Sequence, residues 1–350
     1  MTLEPDGPAF TPIATLGEFR LIDRIRRRIG PPRSSGTLLG IGDDAAVVSV
    51  PDGARLVITT DLLIEHVHFD RTYTPMRHLG YKAMTSNISD VAAMCARPNA
   101  ATVSLGIPNS VSVEMIDALY QGIAEAAERY GVDVVGGDIS GSHKLVVSVT
   151  LLGHANPDEL AYRSGASPTD LLCVSGSLGG SYAGLRILQQ NKERLLSVGA
   201  AYEPDLADHA FVIQRHLRPE ARTDLVETLL SEEIRPTAMI DVSDGLASEV
   251  RHLCTESGCS ARIMAKDLPI DSRTAAAAAY LDENPLDYAL YGGEEYELLF
   301  TMTADSVAEL RSAGADFSVI GTCMAGDDDP VIEMTDGSTK PLIAEGFRHF

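Results

Sequence analysis

The chain has 350 residues, of which 45% are apolar, and its formal net charge is −22. This length exceeds the usual size of one domain, so we expect two domains with separate cores. The charge argues against duplex nucleic acid or an anionic membrane as a partner, because both would repel the chain, although an acidic surface is also common among soluble proteins.

The N-terminal segment, residues 1–16, is predicted to be a flexible tail. It contains prolines and acidic residues instead of a basic start and an apolar run, which argues against a secretory signal. Apolar residues then recur at helical spacing from residue 17 to Ile29, where Gly30-Pro31-Pro32 ends the predicted helix. The longest apolar stretch, residues 145–152, is only long enough for a strand, so no membrane span is expected.

Two extended runs, residues 45–50 and 55–60, are separated by Pro51-Asp52-Gly53, which is a strong hairpin signal. The pattern therefore predicts two paired strands, and it places Asp61 at the exit of the second one.

Two long helices are predicted next. The first, residues 76–96, carries Asn87 and Asp90 three positions apart and hence on one face. The second, residues 113–130, begins after a serine cap and ends at a glycine. A short buried strand, residues 132–135, then leads into Gly-Gly-Asp, and we expect residues 144–152 to return as another strand.

A domain boundary is predicted between residues 156 and 157, which gives an N-terminal domain of residues 17–156 and a C-terminal domain of residues 157–350. Strands and helices alternate in both parts, which favours an α/β or α+β architecture. The C-terminal part predicts strands over 171–174, 238–242 and 296–302, a glycine loop over 176–180 with a helix after it, and a helix over 244–256 capped by Ser243.

Five short segments each end an apolar stretch in aspartate. They are Gly-Asp43-Asp44, Thr59-Thr60-Asp61, Asn87-Ile-Ser-Asp90, Gly-Gly137-Asp138 and Asp241-Val-Ser243-Asp244. Two carboxylates about 5 Å apart repel by roughly 3 kcal/mol at an effective dielectric near 20. If these aspartates converge they need bound cations, and Mg²⁺ suits them because it takes oxygen ligands and bridges to substrate phosphates.

Other nucleotide and hydrolase motifs are absent from the sequence. There is no GxxxxGK[ST] loop, no HRD or DFG and no GxSxG elbow, and the glycine loop at 176–180 is more typical of a plain turn than of a phosphate cradle. The five cysteines form no CxxC pair, which fits reduced thiols and a cytoplasmic location better than disulfides or a zinc site.

Seven motifs together resemble the thiamine-monophosphate kinase family, within the aminoimidazole ribonucleotide synthetase-like superfamily. They occur in the family's order and cover nearly the whole chain from residue 17: GIGDDAA at 40–46, ITTD at 58–61, NISDVAAMCARP at 87–98, VVGGD at 134–138, RSGA at 163–166, IDVSDGL at 240–246 and YGGEEYELLF at 291–300. The resemblance implies an N-terminal sheet shared across a homodimer, a C-terminal α+β domain and an ATP site between the domains.

The same resemblance implies γ-phosphoryl transfer from ATP to thiamine monophosphate. It implies several Mg²⁺ ions, and family members often also use a monovalent cation such as K⁺. By position, the implied magnesium ligands are Asp44, Thr59, Thr60, Asp61, Asp90, Asp138, Asp241 and Asp244. The implied ATP contacts are Gly137, Asp138, Arg163 and Ser243, and the implied contacts to the thiamine part are His68, Glu294 and Phe347.

No general base is expected, because the attacking phosphate oxygen is already anionic near neutral pH. The chain departs from the family pattern at two positions. Ile139 follows Asp138 where a threonine is commoner, which argues against a hydroxyl contact there, and Glu295 occupies a position where aspartate is usual.

Each of these residues also has an ordinary structural interpretation. A single aspartate at a strand end is more often a cap or turn residue, and for Asp43 the two interpretations are about even. Ser243 is a helix cap first, although a cap that faces phosphate can serve both purposes. Isolated loop arginines such as Arg163 are usually solvated, His68 would otherwise be a surface histidine, and Phe347 would be a core anchor.

Three rival functions stay open at this point. The first is another ATP-dependent enzyme of the superfamily, such as a ring-closing synthetase. The second is a Mg-nucleotide sensor without turnover, and the third is an acidic structural protein whose aspartates cap turns. Turnover assays with each candidate acceptor distinguish the kinase from the first two rivals, since the synthetase uses another substrate and the sensor turns over none. A melting temperature that does not change with Mg²⁺ and ATP would favour the third.

Overall fold

The computed structural model describes residues 10–16, 18–39, 46–199, 202–204, 206–326 and 328–343. The chain divides into two compact units. The first unit comprises Met1–Ser49, Thr60–Met84 and Asn99–Thr150, and the second comprises Val50–Thr59, Thr85–Pro98 and Leu151–Phe350. The units are interleaved along the chain, and the single boundary between residues 156 and 157 stays a prediction.

The N-terminal half of the chain builds a four-stranded sheet and several helices. The sheet has the order β3-β6-β4-β5 within the described residues, and β4 and β5 run parallel. The elements are α1 Ile13–Leu16, α2 Glu18–Ile29, β1 Thr37–Leu39, β2 Val47–Val48, β3 Arg55–Ile64, α3 Met76–Ala93, β4 Arg97–Ile107, α4 Val113–Tyr130, β5 Asp133–Gly141 and β6 Val146–Ala155.

Helix α4 has the predicted bounds. The Ser112 side chain accepts a hydrogen bond from the backbone N–H of Met115, and Gly131 ends the helix in the left-handed conformation with φ 68°. The first unit places this helix against α3 at very short range. A Cβ on Gly80 would lie 2.0 Å from the carbonyl oxygen of Leu119, so the two backbones cross where both helices carry glycine.

The C-terminal part of the chain builds a seven-stranded sheet with the order β13-β12-β9-β11-β7-β10-β8 among the described residues. The elements are β7 Leu171–Ser175, α5 Gly180–Val198, α6 Ala210–Leu217, α7 Thr223–Ser231, β8 Ala238–Asp241, α8 Leu246–Ser257, β9 Ser260–Met264, α9 Ser272–Tyr280, α10 Pro285–Tyr291, β10 Leu298–Met302, α11 Ala304–Ser312, β11 Phe317–Met324, β12 Val331–Glu333 and β13 Thr339–Pro341.

Strand β10 of this larger sheet is buried on both faces. Along β10, Leu299 packs in one apolar cluster together with Leu246 and Val250 of α8. The next residue, Phe300, packs in a second cluster with Leu225 of α7. Because successive strand residues point to opposite faces, helices cover both sides of β10, and all five of its residues are buried.

The hairpin prediction for residues 45–50 and 55–60 is wrong. The turn itself forms, since the Ala54 N–H donates to the carbonyl oxygen of Pro51 at 3.1 Å. However, β2 pairs with β1, and β3 lies beside β6 in the four-stranded sheet. A local turn signal fixes the chain reversal, but partner strands are chosen by the whole sheet.

Three other boundaries differ from the predictions. Asp61 lies inside β3, which continues to Ile64, and Asp138 lies inside β5 instead of at the opening of a short strand. The predicted flexible tail is structured in its second half, where Pro12 bridges to Ser112 and the Val113 N–H donates to the carbonyl oxygen of Thr11 at 2.9 Å. In each case a distant partner segment extends or orders the local structure.

Candidate active site

The second unit brings three of the aspartate motifs together through consecutive residues of α3. The Thr59 hydroxyl donates to the Asp90 carboxylate at 2.6 Å. The neighbouring Ser89 hydroxyl donates to the Asp241 carboxylate at 2.7 Å, and Asp241 is only 3% exposed. One turn of α3 therefore links the middle of β3 to the end of β8 and orients two carboxylates.

In the first unit, Thr60 and Asp61 lie on β3 next to β6. The Thr60 hydroxyl lies 3.1 Å from the carbonyl oxygen of Val149, and the Ser148 hydroxyl donates to the carbonyl oxygen of Asp61 at 3.1 Å. The backbone and hydroxyl are thus tied to the sheet at this position, and the Asp61 side chain is partly exposed.

Gly137 and Asp138 lie side by side on β5, opposite β4. A Cβ at Gly137 would lie 1.9 Å from the carbonyl oxygen of Val103, so this glycine is required by the neighbouring strand. At Gly137 the backbone that approaches closely is that of β4. Asp138 pairs in register with Ser104 and is exposed.

The corner after β8 contains Ser243 and Asp244. Helix α8 begins at Leu246 with Gly245 as its cap, so the prediction that Ser243 caps it is wrong. Instead, the buried carboxylate of Glu249, in the first turn of α8, accepts a hydrogen bond from the N–H of Asp244 at 3.0 Å. Burial raises the pKa of the Glu249 carboxyl to about 7, and the charges of Asp244 and Arg163 act on it in opposite directions.

Arg163 lies in an exposed loop that α8 holds by its last residue. The Ser257 hydroxyl donates to the carbonyl oxygen of Arg163 and accepts the N–H of Ala166, both at 3.2 Å. The loop backbone is therefore fixed, while the guanidinium remains exposed and close enough to Glu249 to act on its charge.

Glu294 lies in a turn with unusual backbone geometry. Glu294 and Tyr296 have φ values of 63° and 55°, a left-handed conformation that is uncommon for residues other than glycine. The Glu294 N–H donates to the carbonyl oxygen of Ser243 at 2.7 Å, and the Tyr296 N–H donates to that of Val242 at 2.9 Å. The Glu294 turn and the corner after β8 are consequently built against each other.

His68 closes a tight loop after β3. Its Nδ1 accepts the backbone N–H of Ile64 at 3.0 Å, and its own backbone N–H donates to the carbonyl oxygen of Ile64 at 2.9 Å. A ring nitrogen that accepts carries no proton, so the proton of the ring is on Nε2. The hydrogen-bond donor of the His68 ring is therefore Nε2.

The glycine loop before α5 does not form a free phosphate cradle. The Ser181 N–H, at the start of α5, donates to the carboxylate of Glu295 at 2.9 Å. Glu295 is 1% exposed, so a side chain of the protein already provides the anion at this helix terminus. This agrees with the interpretation of residues 176–180 as a plain turn.

Two predicted site residues, Asp44 and Phe347, lie outside the described residues, as does Asp43. Within the described ranges, no three His, Cys, Asp or Glu side chains gather into a group that could hold a metal ion. Carboxylate and hydroxyl oxygens are nevertheless the donors that Mg²⁺ prefers, and Mg²⁺ commonly uses one or two carboxylates together with waters and phosphate oxygens. The Thr59–Asp90 pair and Asp241 fit that kind of incomplete, phosphate-dependent site.

Sequence reasoning missed four residues that orient the site. Ser89 was visible inside the NISD motif, where its hydroxyl is one position before the aspartate. Glu249 was visible as an acid in the first turn of a helix that has no side-chain cap. Arg215 and Arg222, which pair with Glu295 and Glu297, have no local signal because their partners are more than 70 residues away.

The comparisons with known proteins extend over nearly the whole chain. Residues 42–155 match the family described as AIR synthase related protein, N-terminal domain. Thiamine-monophosphate kinase from Aquifex aeolicus is 38% identical over 96% of this chain and 98% of its own length. The enzyme of the same name from Bacillus subtilis is 35% identical over 96% of this chain and 100% of its own. The chain belongs to the thiamine-monophosphate kinase family.

Solved structures of the thiamine-monophosphate kinase family have the same fold. One, AaThiL complexed with AMPPCP and TMP, has a TM-score of 0.73, 37% identity, and coverage of 96% of this chain and 98% of that chain. A thiamine-monophosphate kinase from Stenotrophomonas maltophilia has a TM-score of 0.77, 34% identity, and coverage of 92% and 97%. Hydrogenase maturation protein HypE in complex with ATP, at 20% identity and a TM-score of 0.76, shares the fold alone. The predicted aminoimidazole ribonucleotide synthetase-like fold is thereby confirmed.

The helices and the cysteines indicate whether the described residues include a membrane span or reactive thiols. None of the helices in the described ranges is both long and apolar enough to cross a membrane. All five cysteines are free and buried, and burial raises the pKa of the Cys173 thiol to about 12. That thiol is therefore protonated and unreactive near neutral pH.

Proposed function

We propose that this chain is a kinase that transfers the γ-phosphoryl group of ATP to thiamine monophosphate, yielding thiamine diphosphate and ADP. The observation that carries the proposal is the similarity to thiamine-monophosphate kinases along the whole chain, at 38% identity over 96% of its length. The relative solved with AMPPCP and TMP supports an ATP-like nucleotide and thiamine monophosphate as the two substrates.

Two groups of oxygen ligands would hold Mg²⁺. In the second unit they are Thr59, Asp90, Asp241 and Asp244, and in the first unit Thr60, Asp61 and Asp138, to which the sequence adds Asp44. Bound Mg²⁺ neutralises phosphate charge, which otherwise keeps two anionic reactants apart. Ser89 and Thr59 support this role, because each hydroxyl fixes one carboxylate through a hydrogen bond of 2.6–2.7 Å.

The remaining site residues would bind the two substrates. Gly137, Asp138, Arg163 and Ser243 are proposed to contact ATP, with the exposed Arg163 guanidinium suited to paired hydrogen bonds with phosphate oxygens. His68, Glu294 and Phe347 are proposed to hold the thiamine part, with His68 donating from Nε2. The nucleophile is a phosphate oxygen of the acceptor, so these residues bind and orient without moving a proton.

A coupled ADP-release assay tests this function, with thiamine monophosphate and thiamine as parallel acceptors. We expect Mg²⁺-dependent turnover with the monophosphate only, because thiamine lacks the anionic phosphate oxygen that attacks. Omission of Mg²⁺, with and without added K⁺, tests the cation requirements. Turnover with a purine precursor would favour the ring-closing rival, and a rise in melting temperature with MgATP but no turnover with any acceptor would favour the sensor.

A homodimer is proposed on the basis of strand β3. This strand is an edge of the four-stranded sheet, and three large side chains at even spacing are exposed: Leu56 by 49%, Ile58 by 62% and Leu62 by 50%. An apolar stripe on an edge strand is a surface that a second copy can cover.

The cytoplasm remains the proposed location, because the free thiols suit a reducing compartment.

We expect Ile58→Lys to shift the protein from dimer to monomer, because a charged side chain in a covered apolar stripe has no partner. Light scattering coupled to size exclusion measures the mass directly. The matched control is Leu196→Lys on α5, where the native side chain is 73% exposed. The proposal is wrong if wild type is monomeric at micromolar concentration or if both variants keep the same mass.

A further inference from the structure

The turn that carries Glu294 depends on neighbouring side chains for its shape. Left-handed backbone is unfavourable for residues other than glycine, so two such residues in three positions need external support. Backbone bonds to Val242 and Ser243 supply part of it. The side chains of Glu295 and Glu297, which follow these two residues, supply the rest through contacts with helix α6.

Arg215 of α6 anchors one side of this turn. Its guanidinium donates to Glu295 at 3.0 Å and to Glu297 at 2.9 Å, and both carboxylates are almost completely buried. Glu297 also accepts bonds from Arg222 at 2.9 Å and from the Ser175 hydroxyl at 2.6 Å. These two acids and two arginines thus form a largely buried network, which extends to Asp224 through Arg222 and fixes alternate residues of the turn.

His216, the next residue of α6, lies on the other side of the turn. Its Nδ1 lies 3.5 Å from the Glu294 carboxylate and 3.3 Å from the Ser181 hydroxyl, and the residue is only 4% exposed. The Glu294 side chain is partly exposed, with 28% of its surface open. A buried imidazole therefore lies next to a carboxylate that is partly exposed to solvent.

We propose that His216 is a positioning residue for Glu294 and through it sets the affinity for the thiamine part of the acceptor. This inference rests on the proposed function, in which Glu294 binds that part. Arg215 fixes the backbone of the turn, and His216 restricts the rotamers of the partly exposed Glu294 carboxylate. The two residues that precede Glu294, Gly292 and Gly293, have no side chain and therefore cannot restrict its rotamers.

Leucine and asparagine at position 216 form a matched pair of variants. They have nearly the same shape, but only asparagine keeps an N–H near the position of Nδ1. We expect His216→Leu to raise the KM for thiamine monophosphate about tenfold, because the Glu294 carboxylate loses the polar contact with Nδ1 that restricts its position. We expect His216→Asn to stay within about threefold of wild type, with kcat and the KM for ATP nearly unchanged in both.

A double-mutant cycle tests whether His216 acts through Glu294. If it does, His216→Leu adds no further loss to Glu294→Ala, which removes the side chain that His216 contacts, whereas independent roles multiply the two effects. Circular dichroism and melting curves exclude unfolding, and His216→Gln replaces the leucine variant if that variant does not fold. His252→Ala, at an exposed histidine of α8, is the control for histidine removal.

The outcomes separate this inference from the proposed function. No turnover of thiamine monophosphate by wild type overturns the function itself. Wild-type turnover with an unchanged KM in His216→Leu overturns only the inference, as do equal rises in both KM values or multiplicative effects in the cycle. A selective rise that asparagine relieves, together with no added loss on Glu294→Ala, supports it.

Discussion

Asp241→Asn is expected to remove most phosphoryl transfer while the protein stays folded. Asp241 ends β8, is 3% exposed and accepts the Ser89 hydroxyl at 2.7 Å. Asparagine keeps the shape and one oxygen for Ser89 but lacks the negative charge that binds a divalent cation. We expect kcat to fall about 10²–10³-fold, the range found when one group that stabilises transition-state charge is removed. Initial rates of ADP release at saturating substrates measure it.

Two variants control for indirect effects of Asp241→Asn. Ser89→Ala removes the hydrogen bond but keeps the charge, so the loss should stay below about tenfold. Asp305→Asn changes an exposed aspartate in the first turn of α11 and should leave kcat unaltered. If Asp241→Asn retains more than about a tenth of wild-type kcat with normal melting, Asp241 is not a metal ligand.

Gly122→Ala should be among the most destabilising single changes in the first unit. A Cβ at this position would lie 1.7 Å from the carbonyl oxygen of Arg77 and 2.9 Å from the backbone nitrogen of Tyr81. Both are backbone atoms of α3, so relief requires the helices to move apart. We expect the free energy of unfolding to fall by about 3 kcal/mol, the upper part of the range for overpacking. Urea unfolding followed by circular dichroism measures it.

Gly141→Ala is the matched control for this change. Gly141 ends β5, and a Cβ there would meet no heavy atom within 4 Å. Its effect should stay within about 0.5 kcal/mol, as for most exposed substitutions. Equal unfolding midpoints for the two variants would show that the α3–α4 crossing relaxes without cost, contrary to the geometry.

Helices were the most predictable elements because their limits depend on nearby residues. The bounds of α4 follow from a serine that caps its first turn and a glycine that takes left-handed backbone at its end. The same reasoning failed at Ser243, since α8 begins at Leu246 and Glu249 reaches back five positions to bind the N–H of Asp244 just before the helix. Glutamate is not among the residue types that usually cap a helix, so the local pattern favoured the serine.

Strands were predictable in place but not in length or pairing. Asp61 and Asp138 were placed at strand ends because apolar runs stop there, yet β3 and β5 continue past them. Hydrogen bonds to a neighbouring strand lengthen a strand beyond its apolar residues, and polar side chains are tolerated where one face is open. Gly137 is likewise required by the close backbone of β4, which the local sequence does not reveal.

The sequence by itself determined the family, the order of the aspartate motifs and the main helices, because these depend on residue identity and on contacts within a few positions. Only the tertiary structure decided that Ser89 orients Asp241 across 152 positions and that Arg215 and Arg222 support the Glu294 turn. Such contacts become favourable only after the chain has lost the entropy of closing long loops, and many pairings of similar local character compete for them. The packing of the whole core selects among these pairings.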